Sequence, residues 1–300
     1  MDMIQNKCCR HGASLRRRRR RRRKILRSII FSCSIIAVAV FVAVGSSMIR
    51  SGDGRTNRYD VEAGNNTYDN AVIENSKISG KNKIQNNQSM LDDIMNSTQY
   101  PKQLKDLALK NEEALEFVYD YPTEHVKEHT IDLTEEASMD SVPLFVQWDK
   151  RWGYEKYSGN FFAASGCGPT TLSMVVVYLT HNRDASPIAV AKYSKEAGYS
   201  VDGSGSSWTL ISEGCRHYGV KAKAVALDES RMKAELDEGH PIVVNVGPGD
   251  FTDTGHFMVI TGYDDEGFSI NDPNSIEKSG KRWLFKNISS QIRAVWSMYV

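Results

Sequence analysis

The longest uninterrupted apolar stretch of this chain runs from Ser28 to Ile49 and contains no charged residue. Its 22 residues are enough to cross the ~30 Å hydrocarbon core of a bilayer as one helix. An unbroken arginine block, Arg16 to Arg23, lies shortly before it. Because positive charge collects on the cytoplasmic side of a membrane span, we predict a cytoplasmic basic tail over 1–27, a transmembrane helix over 28–49 and an extracytoplasmic remainder.

The same stretch also fits a secretory signal peptide. The small residues Ala43-Val44-Gly45 precede Ser46 in the manner of a cleavage site. The length of the apolar core favours a retained anchor over a cleaved signal. We therefore expect a single-pass membrane protein with a cytoplasmic N-terminus.

The next part of the chain changes from polar to amphipathic. Residues 50–99 carry few large apolar side chains, so they bury too little surface to offset the entropy of ordering them. They are predicted to form a flexible, disordered stalk. After them, Leu104, Leu107 and Leu115 recur at helical spacings with Lys and Glu between them. This pattern predicts an accessory helical segment and linker over 100–140, either packed on the following domain or serving as a spacer.

Residues 141–300 are predicted to form the main domain, since a chain of this length buries about 70% of its unfolded surface in one core. Helical periodicity dominates its first half and strand-like alternation its second half, which is an α+β layout. The predicted helices are Pro169–Thr180, Ile188–Ala197 after the capping pair Ser186-Pro187, Trp208–Tyr218 and Glu229–Glu238. The predicted strands are Leu144–Gln147, Lys221–Ala226, Pro241–Val246, His256–Tyr263, Phe268–Asp272, Trp283–Phe285 and Ala294–Val300.

The overall charge carries little information about function. The formal net charge is +1, so the molecule as a whole has no strong electrostatic preference for a partner. The arginine block is the concentrated exception. Beside a membrane span, a topology signal explains it more simply than contact with nucleic acid or anionic lipid. No nucleic-acid partner is expected.

Two of the five cysteines, Cys167 and Cys215, lie in the predicted extracytoplasmic part. Two cysteines do not make a disulfide framework, although these two are able to pair with each other, and the sequence leaves that open. His217 lies two residues after Cys215, but ligands at this spacing on a helix point in different directions. Neither a metal site nor a cofactor is expected.

The stretch Gly166-Cys167-Gly168-Pro169 places a cysteine between two glycines at the start of a predicted apolar helix. A cysteine is a useful nucleophile as its thiolate, and both the positive end of a helix and a neighbouring imidazolium lower the pKa of a thiol. Cys167 is therefore the candidate nucleophile. The glycine- and serine-rich stretch 203–207, ahead of Trp208, either lines the cleft near it or is a flexible turn.

A histidine and an aspartate occupy neighbouring strands of a predicted hairpin. By two-residue alternation His256 shares a face of its strand with Met258, and Asp272 ends the next strand. A turn centred on Asp264 sets His256 opposite Asp272, whereas a turn centred one residue later makes them diagonal neighbours. In either register the carboxylate is able to orient the imidazole and stabilise its charged form.

Together these motifs resemble the C39-like cysteine peptidases, a papain-like family that includes the leader peptidases of bacterial bacteriocin exporters. The resemblance rests on Gln147, Gly166–Thr170, Gly255–Phe257 and Asn271–Pro273, and it covers about residues 142–300. It implies a papain-like fold in which an N-terminal helix carrying the cysteine packs on an antiparallel sheet carrying the histidine and aspartate. It also implies catalysis by a thioester mechanism.

Carried over to this chain, the resemblance makes Cys167 the nucleophile, His256 the general base and then acid, and Asp272 the residue that orients the imidazole. Gln147 corresponds to the glutamine of the oxyanion hole. It lies twenty residues before Cys167, farther than in exporter-type members, so the chain looks more like a stand-alone branch. No phosphate-binding loop of the exporter ATPases is present in the sequence.

The expected function is that of a membrane-anchored, extracytoplasmic cysteine peptidase. Its expected substrates are peptides or the stem peptides of peptidoglycan. Two other functions fit the same residues: a non-catalytic tethered module that binds peptide or cell wall, and an acyl transferase that passes the acyl group to an amine.

Overall fold

The computed structural model describes residues 83–300. The predicted basic tail, the transmembrane helix over 28–49 and most of the predicted stalk lie outside these residues. Within the described part, no helix combines the length and apolarity needed to span a membrane.

The N-terminal portion of the described chain consists of short helices. A helix α1 covers residues 83–96. After it come α2 (Lys102–Lys110), a 3-10 turn (Glu112–Ala114), α3 (Leu115–Tyr119), α4 (Tyr121–Glu124) and α5 (Thr134–Ser138).

Helix α1 corrects the predicted stalk, because residues 83–96 are ordered although they fall within 50–99. Met90, Leu91 and Ile94 are spaced to share one side of a helix, and Ile94 is completely buried. They pack against α2 and α3, so their apolar surface is removed from water by residues distant in sequence. An isolated helix of this length is marginal in water, which is why composition alone indicated disorder.

The accessory segment packs on the main domain, which decides between the two predicted arrangements. Phe117 of α3 stacks on Tyr154 with ring centroids 4.2 Å apart, and the Tyr154 hydroxyl donates to the Phe117 carbonyl at 2.7 Å. A Cβ at Gly153 would lie 2.7 Å from the Phe117 ring, so this contact needs a glycine. The segment is therefore a docked part of the fold.

The main domain is built on a six-stranded antiparallel sheet with the strand order β5-β10-β6-β7-β8-β9. Two small hairpins, β1/β2 and β3/β4, lie outside it. The strands are β1 (Lys156–Tyr157), β2 (Asn160–Phe161), β3 (Ser200–Val201), β4 (Gly205–Ser206), β5 (Lys221–Ala224), β6 (Ile242–Val246), β7 (His256–Asp264), β8 (Gly267–Asn271), β9 (Arg282–Trp283) and β10 (Ile292–Tyr299).

The remaining helices cover both faces of the sheet. On one face, the central helix α7 buries Leu172 and Val176 against Phe257 and Trp296. On the other, Met232 belongs to a second apolar cluster. The helices of the main domain are α6 (Phe162–Ser165), α7 (Cys167–Thr180), α8 (Pro187–Glu196), α9 (Thr209–Ser212), α10 (Glu229–Asp237), α11 (Ile276–Ser279) and α12 (Phe285–Ile288). The α+β class is thus confirmed.

Most predicted elements exist with ends shifted by a few residues, and the capping prediction at Ser186 is confirmed: its hydroxyl accepts from the Ala189 N–H at 3.3 Å. The predicted strand Leu144–Gln147 was wrong. Its side chains alternate between buried and exposed, yet the stretch pairs with no strand. The periodicity therefore reported alternate burial rather than sheet pairing.

The predicted helix Trp208–Tyr218 is divided into two short pieces, α9 and a 3-10 turn at Gly214–Tyr218. The chain leaves helical geometry at Glu213, whose φ is −126°. Gly214 is a poor helix former, and its Cα packs so close to the Tyr199 ring that a Cβ would lie 3.0 Å away. The close approach to Tyr199 explains the glycine and, with it, the break.

Candidate active site

Cys167 is the first residue of the central helix α7 and is half-buried. The short helix α6 ends just before it, and Gly166 connects the two. A Cβ at Gly166 would lie 2.6 Å from the Phe162 carbonyl oxygen and from a carbon of its ring, so this junction needs a glycine. The sulfur consequently lies at the positive end of a fourteen-residue helix, where a thiolate is favoured.

His256 opens strand β7 and forms a buried contact with Asp272: Nε2 donates to Oδ1 at 2.6 Å. Asp272 lies one residue beyond the end of β8 and is completely buried. Its Oδ1 also accepts the Asn274 N–H at 2.8 Å. The structure therefore brings the predicted histidine and aspartate into direct contact.

The imidazole of His256 also acts on the Cys167 thiol. Because Nε2 is bonded to Asp272, Nδ1 is the ring nitrogen left for that interaction. Burial raises the pKa of the thiol, but the hydrogen bond and charge of His256, with the backbone N–H groups of Phe257 and Gly168, outweigh burial and leave the pKa of Cys167 below its ordinary value.

The pKa of His256 moves the opposite way. Burial alone would lower it, yet the adjacent Asp272 carboxylate and the contact with Cys167 raise the pKa of His256 to about 10. A thiol that loses its proton readily next to an imidazole that holds its proton favours a thiolate–imidazolium pair. Such a pair supplies a nucleophile and a proton donor in one contact.

Gln147 contacts both the loop that follows Asp272 and the short helix that precedes Cys167. Its backbone N–H donates to the Pro273 carbonyl at 2.7 Å, one residue after Asp272. Its side-chain Nε2 donates to the Ala163 carbonyl at 2.7 Å, four residues before Cys167. The second N–H of this buried amide is not used in that bond. Gln147 is therefore held between α6, which directly precedes the cysteine helix, and the Asp272 loop.

Three further residues support the site and had escaped prediction. Asn245, buried in the apolar strand β6, donates to the His256 carbonyl at 3.2 Å. Ser279 Oγ accepts the Asp272 N–H at 2.8 Å. Trp148 Nε1 donates to the Asn274 carbonyl at 3.3 Å. An amide within an otherwise apolar strand was a usable signal for Asn245, whereas nothing in the local sequence distinguished Ser279.

Ser206 of the stretch 203–207 lies against the start of α7, while Gly203 and Ser204 belong to the turn between β3 and β4. Ser206 packs on Gly168 so tightly that a Cβ at Gly168 would lie 2.5 Å from Ser206 Oγ. The Ser206 hydroxyl is 2.6 Å from the Tyr157 hydroxyl. Next in the chain, Trp208 is 45% exposed and meets Trp296 edge to face at 6.0 Å.

Cys167 and Cys215 are both free thiols, which resolves the pairing that the sequence had left open. Cys215 is completely buried, and burial raises the pKa of its thiol to about 11. It is therefore a poor nucleophile. Within residues 83–300, no group of three or more His, Cys, Asp or Glu side chains is arranged to hold a metal ion.

A family model described as the Peptidase_C39 like family matches residues 139–300. No curated protein matches the chain. The peptidase domain of Streptococcus ComA, described as a bifunctional ABC transporter of a quorum sensing pathway, is similar at 18% identity and a TM-score of 0.38, covering 53% of this chain and 96% of that one. A protein from Bacillus anthracis assigned as a C39-like peptidase is similar at 16% identity and a TM-score of 0.34, covering 53% of this chain and 95% of that one.

Proposed function

This chain belongs to the Peptidase_C39 like family, and we propose that it hydrolyses peptide amide bonds through a thioester on Cys167. Membership supports a cysteine peptidase-type function at the level of the family. The observation that carries the finer proposal is the buried hydrogen bond between His256 and Asp272, on an imidazole that lowers the pKa of Cys167. A binding module has no requirement for this arrangement.

In the acylation step, the Cys167 thiolate attacks the carbonyl carbon of the substrate amide and a C–S bond forms. The oxyanion of the tetrahedral intermediate accepts hydrogen bonds from the Cys167 backbone N–H and the free amide N–H of Gln147. The C–N bond then breaks as the His256 imidazolium donates its proton to the departing amine. The products of this step are the free amine and a thioester on Cys167.

In the deacylation step, the now neutral His256 accepts a proton from water, and the oxygen attacks the thioester carbon. The C–S bond breaks, releasing the carboxylic acid and restoring the thiolate–imidazolium pair. Asp272 keeps the ring oriented through both steps and stabilises its charged form.

The proposal places this reaction outside the cytoplasm, with residues 28–49 as the membrane anchor. The support is the order of the arginine block and the uncharged stretch in the sequence. In that compartment the proposed substrates are peptides or peptidoglycan stem peptides. A protease-accessibility assay on intact and permeabilised cells tests the orientation.

The activity is tested on the full-length chain in detergent, with a peptide library and digested peptidoglycan as substrates. We expect amide hydrolysis that Cys167→Ala and His256→Ala abolish without lowering the thermal unfolding midpoint by more than a few degrees. Hydrolysis retained by Cys167→Ala would overturn the proposal.

Two further measurements separate the other functions. Rapid alkylation of Cys167 by iodoacetamide near neutral pH is expected of the peptidase, whereas a binding module gives slow alkylation. An added amine acceptor leaves the products of a hydrolase unchanged but appears in the products of an acyl transferase.

A further inference from the structure

The segment that holds the Asp272 loop from outside lies in the accessory helices, before the region that the family model matches. Glu113, in the 3-10 turn between α2 and α3, extends its carboxylate to the start of α11. Oε2 accepts the N–H groups of Ile276 at 2.7 Å and Glu277 at 3.1 Å, and Oε1 accepts the Ser275 hydroxyl. These three donors follow Asp272 by three to five residues, so one carboxylate holds the outer end of its loop.

Asn111 holds the inner end of the same loop. Its Nδ2 donates to the Asn274 carbonyl at 2.9 Å and to Asn274 Oδ1 at 3.1 Å. The Asn274 N–H in turn donates to Asp272 Oδ1, the oxygen that accepts the hydrogen bond from His256 Nε2. A continuous series of hydrogen bonds therefore runs from Asn111 to the imidazole.

The turn that carries Asn111 and Glu113 is itself held in place by contacts within the turn and with the main domain. The Asn111 Oδ1 accepts the Glu113 N–H at 3.0 Å, which ties the two residues into one turn. Beyond that turn, Phe117 is fixed on Tyr154, and Lys150 Nζ lies 2.6 Å from Asp120 Oδ2. The accessory segment thus docks on one part of the main domain and reaches across to the Asp272 loop.

From these contacts we propose that Asn111 and Glu113 are positioning residues for the Asp272 carboxylate. The accessory segment is then a working part of the site rather than a spacer. The proposal rests on the proposed function, because the position of the Asp272 carboxylate matters for activity only if His256 takes part in catalysis. Neither residue touches the reacting atoms, and both act through the loop that carries Asp272.

The measurable consequence concerns the fraction of Cys167 present as thiolate. The ionisable side chains that act on His256 are Asp272 and Cys167. When the Asp272 loop loosens, its carboxylate stabilises the imidazolium less, and the thiolate then forms at higher pH. Iodoacetamide reports this directly without a known substrate, because it reacts with the thiolate.

The experiment follows alkylation of Cys167 between pH 4 and pH 10 in the full-length chain, read on the peptide that contains Cys167. For Glu113→Ala and Asn111→Ala we expect the midpoint to rise by about half a pH unit, which lowers the rate below the midpoint roughly threefold. Glu113→Gln keeps an acceptor for the two N–H groups but loses the charge and the acceptor of the Ser275 hydroxyl, so its profile is expected to lie between those of the wild type and Glu113→Ala.

Asp228→Ala is the matched control. Asp228 is also a carboxylate that accepts a backbone N–H at a helix start, from Arg231 at 2.9 Å, but its bonds are to Ser230 and Arg231 of its own turn rather than to the Asp272 loop. Its profile is expected to coincide with the wild type. If the substitutions acted only by lowering overall stability, the thermal unfolding midpoints of the variants would fall. The alkylation profiles of Glu113→Ala and Glu113→Gln would then coincide.

The outcomes distinguish this proposal from the one on which it rests. A wild-type midpoint below that of an ordinary thiol, with the profiles of Glu113→Ala and Asn111→Ala coinciding with it, overturns the positioning role alone. A wild-type midpoint typical of an ordinary thiol overturns the proposed function and the positioning role together. If Glu113→Ala fails to fold, the profile of Asn111→Ala decides by the same criterion.

Discussion

His256 Nε2 lies 2.6 Å from Asp272 Oδ1 although the two residues are diagonal rather than opposite in their hairpin. Near the turn, Tyr263 pairs with Phe268. If this register continued, Asp272 would lie opposite Val259, on the face of the sheet that His256 does not share. A β-bulge at Thr261 shifts the pairing by one residue. Beyond it the register points Asp272 towards Met258, on the face that His256 shares.

The charge of Asp272, in addition to its hydrogen bond, is expected to matter for catalysis. Asp272→Asn keeps an oxygen for the His256 N–H but removes the charge that raises the pKa of the imidazole. We expect kcat/KM to fall about 100-fold, with the acid limb of the rate profile shifted to higher pH. Asp228→Asn, whose carboxylate bonds to Ser230 and Arg231 of its own turn, should leave both unchanged. An unaltered acid limb in Asp272→Asn would show that the carboxylate does not stabilise the imidazolium.

Gln147 is expected to separate hydrolysis from alkylation. Removal of an oxyanion donor by Gln147→Ala should lower kcat for amide hydrolysis roughly 10²- to 10³-fold. Alkylation by iodoacetamide forms no oxyanion, so its rate should stay within about twofold, because the thiolate is unaffected. Equal losses in both assays would contradict the oxyanion role and indicate that Gln147 positions the sulfur through Ala163.

Gly168 is expected to be required for close packing. A Cβ there would lie 2.5 Å from Ser206 Oγ and 2.7 Å from its Cβ, next to the nucleophile. Gly168→Ala should therefore destabilise the protein by about 1–3 kcal/mol and reduce activity, as overpacking does. The double variant Gly168→Ala with Ser206→Gly removes the clash and should recover most of the stability in urea unfolding. Additive losses in the double variant would refute this explanation.

The pH dependence of kcat/KM is expected to be bell-shaped and to be set by the Cys167–His256 pair. Its acid limb should lie below the ordinary pKa of a thiol, because His256 lowers the pKa of Cys167. Its alkaline limb should lie near pH 10, where the imidazolium loses the proton it donates to the amine. A rate that continues to rise through pH 9, following an ordinary thiol, would contradict the ion pair.

The docking of α1 is expected to contribute to global stability. Ile94 is completely buried, whereas Ile84 on the same helix is 69% exposed. Ile94→Ala should lower the free energy of unfolding by about 3 kcal/mol, and Ile84→Ala by less than about 0.5 kcal/mol. Chemical denaturation of the full-length chain measures both. Equal effects of the two substitutions would mean that α1 does not pack as described.

Features that depend on neighbouring residues were predictable from the sequence. The Cys167 helix, the cap at Ser186 and the hairpin carrying His256 all follow from local spacing, capping chemistry or alternation. The chain order of cysteine, histidine and aspartate was equally visible, and the match of the family model to residues 139–300 agrees with the resemblance that these motifs carried.

Tertiary structure alone decided the features that connect distant parts of the chain. The bulge at Thr261, the order of α1 and the use of Asn111 and Glu113 at the Asp272 loop depend on packing summed over many residues, which no local window contains. The free thiol of Cys167 belongs to this group, since only the fold decides whether Cys215 comes within bonding distance of it. Local preferences determine which elements form, whereas the register and the partners of each element are set by burial and hydrogen bonding across the whole fold.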